Sequence, residues 1–305
     1  LKILFAGTPE NAALVLRGLV NQGHEIVAVL TRLDAPVGRK RVLTQSAVSQ
    51  AAVDLGLPVI KANQIDDATR EKIAATKADI AIVVAYGVLL KTVDLELLPF
   101  GWLNVHFSLL PRLRGAAPVQ WSLLNGETET GVTVFQIDEG LDTGAIWSQV
   151  PTEIQPTENA GDLLNRLSLL STSIISELLP KIAAKMVSPK PQSGEVGAFA
   201  RKLSRADAQI HWQNSALAIE NQVRALNPEP FASAQIKGNN VQVLEARVSL
   251  EQTDAAPGQL FANSGRVYVG TGNGILELIQ VRPAGKSALQ AADWFRGLRE
   301  GSFDV

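Results

Sequence analysis

The sequence predicts an α/β protein of two domains, a mostly parallel, Rossmann-like sheet followed by a small β-barrel. Three observations carry this. The chain opens as strand, turn, helix, strand, the spacing of a βαβ crossover. Residues 79–86 (DIAIVVAY) are almost wholly apolar, as a strand buried on both faces must be. Beyond residue 207 the texture changes to short alternating strands separated by turn signals, the pattern of a small barrel.

Composition sets the outer limits. The 305 residues are 46% hydrophobic and 19% charged, enough for a sizeable core in each of two domains. The net charge of −2 gives no global basic field, so a nucleic-acid partner would have to meet local patches. There is no cysteine, which excludes disulfides, thiolate catalysis and cysteine metal sites. No signal-peptide pattern opens the sequence and no apolar run reaches the roughly 18 residues that span a bilayer. A cytoplasmic monomer with no membrane contact and no metal is expected.

Taken in order, residues 2–5 are a buried-type strand, Gly7 lies in the turn, and residues 11–20 have helical spacing. Residues 25–30 make the second strand. Gly-x-Gly-x-x-Gly is missing, which speaks against a nicotinamide or flavin cofactor. Residues 31–44 (TRLDAPVGRKRVLT) have no periodicity and are expected as a loop. They hold Arg32, Arg39, Lys40 and Arg41 against Asp34 alone. Such a charge run is either a solvated surface or, as long loops in compact domains often are, functional.

Residues 45–55 and 67–75 read as helices, with a short strand at 59–60 between them. The 79–86 strand ends at Tyr86, which fits a pocket wall and a plain buried aromatic equally. A strand at 102–107 follows. Residues 127–137 form another strand and run into 138–144 (DEGLDTG), whose spacing does not suit a calcium loop. A return strand at 145–150 and a long amphipathic helix at 159–184 complete the first domain. The expected division is 1–188, a linker at 189–206 rich in proline and small residues, and 207–305. His211, before Trp212 at the start of the barrel, is expected to pack.

The chemistry concentrates in residues 104–121 (NVHFSLLPRLRGAAPVQW). Strand side chains alternate, so Asn104 and His106 share one face at the carboxyl end of a strand, where open α/β sheets place their sites. An asparagine amide can donate to a developing oxyanion, and a histidine can donate, accept or carry charge near neutral pH. Together they suit addition to a carbonyl carbon. Ser108 lacks the small neighbour that a nucleophile elbow needs, because Phe107 occupies that position. The bland alternative is a polar strand end whose side chains cap backbone groups.

The whole stretch is more specific than that pair. Asn-x-His followed by Ser-Leu-Leu-Pro resembles the active-site segment of the 10-formyltetrahydrofolate-dependent formyltransferases. Its continuation Arg-x-Arg-Gly-Ala-Ala-Pro-x-Gln is similar to the branch that acts on initiator methionyl-tRNA. The resemblance extends to Gly-Leu-Asp-Thr-Gly at 140–144, to Asp34-x-Pro36-x-Gly38-Arg39, and to Asn227-Pro228-x-Pro230 and Pro283-Ala284-Gly285-Lys286 near the end.

The resemblance implies an oligonucleotide-binding-like (OB-like) barrel as the second domain. It implies Asn104, His106 and Asp142 as catalytic residues, with Asn104 and His106 donating to the formyl oxygen. It implies Ser108, Leu109, Leu110 and Pro111, with Tyr86, along the co-substrate 10-formyltetrahydrofolate. It implies Arg39, Lys40 and Arg41, with Lys202 and Arg205, against tRNA. Two departures stand out. Glu229 replaces the usual aromatic residue, and residues 205–305 hold 9 Lys and Arg against 10 Asp and Glu, which shifts weight from the barrel to the 31–44 segment. Rival readings are a sugar-nucleotide or purine formyltransferase, a formyl-folate hydrolase and a non-enzymatic RNA-binding protein; the 31–44 segment and the Asn-His-Asp set separate them.

Overall fold

The computed structural model describes residues 1–38, 40–251, 253–298 and 301–304. They form two units. The first comprises Leu1–Gly115, Glu129–Glu153 and Leu164–Phe199, the second Ala116–Thr128, Ile154–Leu163 and Ala200–Val305.

The first unit opens with β1 (Ile3–Gly7), α1 (Glu10–Asn21) and β2 (Ile26–Thr31), followed by β3 (Ala35–Val37) and β4 (Val42–Thr44). Next come α2 (Ala47–Asp54), β5 (Val59–Lys61), α3 (Asp67–Ala75), β6 (Ile80–Val84), α4 (Thr92–Leu95) and β7 (Trp102–His106). After α5 (Pro118–Leu124), which belongs to the second unit, the chain returns with β8 (Glu129–Gln136) and β9 (Ile146–Glu153). From Leu164 on, α6 (Ala160–Ala183) belongs to the first unit as well.

Local chemistry explains these elements. Ala12, Val15, Leu16 and Leu19 put one apolar stripe of α1 into the core. Ser46 and Asp66 cap α2 and α3 by accepting the backbone N–H of Ser49 and Thr69. The seven-stranded sheet runs β5-β2-β1-β6-β7-β8-β9, parallel from β5 to β7 and antiparallel beyond it. Strand order reverses between β1 and β6, and the carboxyl ends of β1, β6 and β7 beside that point are where open α/β sheets hold their ligands.

The 31–44 segment is a hairpin where a loop was expected. β3 pairs antiparallel with β4 through Ala35 to Thr44, Pro36 to Leu43 and Val37 to Val42. These strands are three residues long and exposed throughout, so no alternation marks them in the sequence. The hairpin is held at its root. The Thr31 and Ser46 hydroxyls are 2.6 Å apart, Lys61 pairs with Asp34 at 2.6 Å, and Arg32 donates to Asn63 and to the Gly87 carbonyl.

The second unit contains α7 (Ala216–Ala225), β10 (Ala232–Ile236), β11 (Asn239–Ser249), β12 (Leu260–Asn263), β13 (Arg266–Gly270), β14 (Ile275–Pro283), β15 (Leu289–Gln290) and α8 (Ala291–Arg296). Its strands form an antiparallel sheet in the order β10-β11-β14-β13-β12, with β15 on β14. The core gathers Ile219, Val223, Val243, Val269 and Leu276 around Trp212, which stacks on Phe303 at 4.7 Å. His211 corrects the expectation: it is exposed, and its neighbour Trp212 does the packing. Among the described residues no helix is long and apolar enough to cross a membrane.

Candidate active site

The site is built on the carboxyl end of β7. Asn104 and His106 lie on one face, opposite Phe135 and Thr133 of β8. The Asn104 amide has no hydrogen-bond partner among the described residues and remains partly exposed, so it is available as a donor. His106 is only 5% exposed, and its ring meets Phe135 edge to face at 6.4 Å.

Two contacts define the imidazole. Nε2 lies 2.9 Å from the Leu113 carbonyl, and Nδ1 lies 3.8 Å from Asp142 Oδ2. A carbonyl can only accept, so the proton of the neutral ring sits on Nε2 and Nδ1 presents its lone pair. Burial lowers the His106 pKa, and the Asp142 charge and the Leu113 carbonyl oppose that shift. The neutral ring therefore has no N–H left for a formyl oxygen. Asn104 is the uncommitted donor, and His106 can donate from Nδ1 only after taking a proton there.

Both residues that hold His106 have left-handed backbones, Leu113 at φ 55° and Asp142 at φ 53°. For a branched aliphatic residue that region costs roughly 1–2 kcal/mol, a strain typical of positions whose geometry serves a site. The Asp142 carboxylate is fixed by the Gly115 N–H, which donates to Oδ2 at 2.8 Å. Gly144 closes the same loop so tightly that a Cβ there would strike the Gln136 carbonyl oxygen.

Ser108, Leu109, Leu110 and Pro111 follow His106 as a turn held from β8 and β9. Thr133 donates to the Ser108 carbonyl at 2.6 Å and accepts from the Leu110 N–H at 3.2 Å. Gln149 donates to the Leu110 carbonyl and to the Thr133 hydroxyl, at 2.9 and 3.0 Å. The Ser108 hydroxyl is buried and donates to the Arg112 carbonyl. Any co-substrate contact from this turn thus comes from backbone atoms and the partly exposed Leu109, not from the serine hydroxyl.

The other expected residues are dispersed. Tyr86 is 2% exposed, packs with Leu4, Ala6 and Leu30, and donates to the Ala62 carbonyl at 3.0 Å. Desolvation raises its pKa to about 12. Its hydroxyl is committed, so the buried-aromatic reading holds and Tyr86 leaves the co-substrate set. Lys40 and Arg41 are exposed beside the hairpin turn and form no ion pair among the described residues; Arg39 lies outside those residues. In the second unit Lys202 and Arg205 are likewise exposed, while Arg201, whose guanidinium lies over the Trp121 ring at 5.1 Å, pairs with Asp207 at 2.6 Å.

Sequence reasoning missed Leu113, Thr133, Gln149 and Gln192. Each acts through hydrogen bonds to residues distant in sequence or through a backbone carbonyl. The one legible trace is the polar Thr133 between Val132 and Val134 in the apolar middle of β8.

Residues 1–179 match the family model described as formyl transferase, and residues 202–299 match that of the formyl transferase C-terminal domain. The chain belongs to the formyl transferase family. Within that family, the methionyl-tRNA formyltransferase of Paenarthrobacter aurescens is 44% identical over 298 residues, covering 98% of this chain and 97% of the relative. That of Pseudarthrobacter chlorophenolicus is also 44% identical over 298 residues, with the same coverage. Among solved structures, an N-formyltransferase from Helicobacter canadensis in complex with folinic acid and dTDP-3-aminofucose superposes with a TM-score of 0.68. It is 19% identical and covers 91% of this chain and 98% of its own, a likeness of formyl transferase fold.

Proposed function

We infer that this formyl transferase moves the formyl group of 10-formyltetrahydrofolate to the α-amino group of methionine on initiator methionyl-tRNA. Full-length likeness to methionyl-tRNA formyltransferases carries this reading, since it spans both units at 44% identity. In the reaction the amine attacks the formyl carbon. The Asn104 amide donates to the oxygen on which charge develops. Nδ1 of His106 receives the amine proton, Asp142 stabilises the resulting imidazolium, and that proton is then available to the departing nitrogen.

The basic hairpin favours a tRNA acceptor over a sugar nucleotide. Lys40 and Arg41 form no ion pair among the described residues, and the non-basic second unit leaves this work to the hairpin. Lys202 and Arg205 extend the same proposal, as do a monomeric state, checked by light scattering, and a location in the cytoplasm, where charged tRNA is found.

The deciding experiment incubates the protein with charged initiator tRNA and labelled 10-formyltetrahydrofolate. Label in methionyl-tRNA is expected. Release of formate alone, or labelling only of an amino-sugar nucleotide, would replace this reading with one of its rivals.

A further inference from the structure

Gln192 lies in the segment expected as linker, 50 residues from Asp142 in sequence. The segment is docked at this point: the backbones of Lys190 and Ile146 exchange hydrogen bonds at 2.7 and 2.8 Å. The Gln192 side chain then spends its whole hydrogen-bonding capacity on the loops around His106. Nε2 donates to the carbonyls of Asp142 and Gly144, at 2.8 and 2.9 Å. Oε1 accepts from Nε and Nη2 of Arg114, at 3.2 and 2.6 Å. With the Gly115 N–H on the Asp142 carboxylate, this closes a ring: Arg114 and Gly115 on one loop, Asp142 on the other, Gln192 joining them.

We propose that Gln192 is a positioning residue for the reaction, holding Asp142 in its left-handed backbone so that its carboxylate faces Nδ1 of His106. Three features support this. Asp142 at φ 53° needs its surroundings to keep it there, and its carbonyl is held by Gln192. Only a primary amide offers two donors to the two carbonyls and an acceptor to the guanidinium at once. The Gly115 N–H holds the carboxylate of Asp142 and Gln192 holds its carbonyl, so the two contacts fix different ends of the residue. The inference rests on the reading of Asn104, His106 and Asp142 as the catalytic set.

The test uses the full chain with Gln192→Leu and Gln192→Glu. The glutamate keeps the acceptor for Arg114 and loses both donors, and it serves if the leucine variant fails to fold. Expected is a fall in kcat of about 10- to 100-fold, the range lost when a supporting hydrogen bond to a site residue is removed. KM for methionyl-tRNA and for 10-formyltetrahydrofolate should stay within a factor of a few. In an Asp142→Ala background the same substitutions should cost nothing further, because the residue they position is gone.

A second readout needs no turnover. The chain has three histidines, and the His106 ring resonance is found by comparison with His106→Gln. Its titration should move to lower pH when Asp142 is released, since the carboxylate then supports the imidazolium less. Equal kcat losses with and without Asp142 in either variant, or an unmoved His106 titration in folded Gln192→Leu, where no new charge is added, would overturn the proposal. A parent protein that leaves methionyl-tRNA unformylated would instead overturn the function, and the titration would still decide the role of Gln192.

Discussion

Nδ1 of His106 faces Oδ2 of Asp142 across 3.8 Å, two proton acceptors set against each other while Nε2–H is held by Leu113. A proton arriving at Nδ1 is therefore welcomed by a charge that is already in place. Asp142→Asn removes that charge and keeps the shape. Turnover should fall by about 10²- to 10⁴-fold, the usual contribution of a positioned proton-transfer group. Because Asp142 raises the His106 pKa, its loss should also move the acidic limb of the pH–rate profile to lower pH. An unchanged limb would make Asp142 purely structural.

In the proposed reaction Asn104 and His106 act on different atoms, and the loss of either should slow turnover. His106→Ala should reduce turnover by about 10²- to 10⁴-fold. Asn104→Ala should cost about 10²- to 10³-fold, as loss of an oxyanion donor does. Equilibrium binding of the formyl donor should change little in either. Near-normal kcat in single-turnover experiments with either variant would remove that residue from the chemistry.

Stability should depend on pH through His106. Its pKa is lower folded than unfolded, so between the folded value and 6.5 the unfolded chain binds the extra proton. Its contribution is complete above pH 6.5 and declines as pH falls below it, by at most about 1.4 kcal/mol per pH unit for one proton. Urea unfolding of the parent and of His106→Gln from pH 5 to 7 should show a steeper slope in the parent; parallel curves would contradict this.

Thr133→Val keeps the β-branched shape and removes the hydroxyl that ties the Ser108–Leu110 turn. The buried Leu110 N–H and the Ser108 carbonyl then each lose a partner, a loss that costs about 1–3 kcal/mol per unsatisfied buried group. The thermal midpoint should drop, and kcat should fall with it because the turn begins two residues past His106. A midpoint matching the parent's would show that the network is dispensable.

Salt should report the hairpin. Each duplex phosphate contact adds about 0.9 to the slope of log affinity against log salt, so Arg39→Ala, Lys40→Ala and Arg41→Ala should each flatten tRNA binding. Binding of the formyl donor should be unaffected. Superimposed salt curves for the parent and a triple variant would reduce the hairpin to a solvated surface and restore the sugar-nucleotide reading.

What could be read from the sequence was what is local. The apolar run of β6 and the shared face of Asn104 and His106 follow from a period of two and from strand composition. The 140–144 loop follows from its glycines and carboxylates. Leu113 could not be found this way, because it contributes a carbonyl, an atom every residue has. Gln192 was hidden by its proline-bearing surroundings, which read as linker while the segment is in fact docked through Lys190. The hairpin was missed because exposed strands three residues long carry no burial pattern. Tyr86 stood equally for pocket and core until its hydroxyl was seen on Ala62.

The root of that hairpin carries one more implication. Thr31 ends a core strand, Ser46 caps the next helix, and their hydroxyls touch, so the chain leaves β2 and enters α2 at nearly one point. Lengthening, trimming or exchanging β3 and β4, beyond the root contacts of Arg32 and Asp34, should leave strand register and the His106 strand as they are. If the hairpin meets the acceptor as proposed, descent had room to revise the acceptor without renegotiating the chemistry, and a laboratory graft of a foreign arm between Asp34 and Ser46 begins from the same freedom.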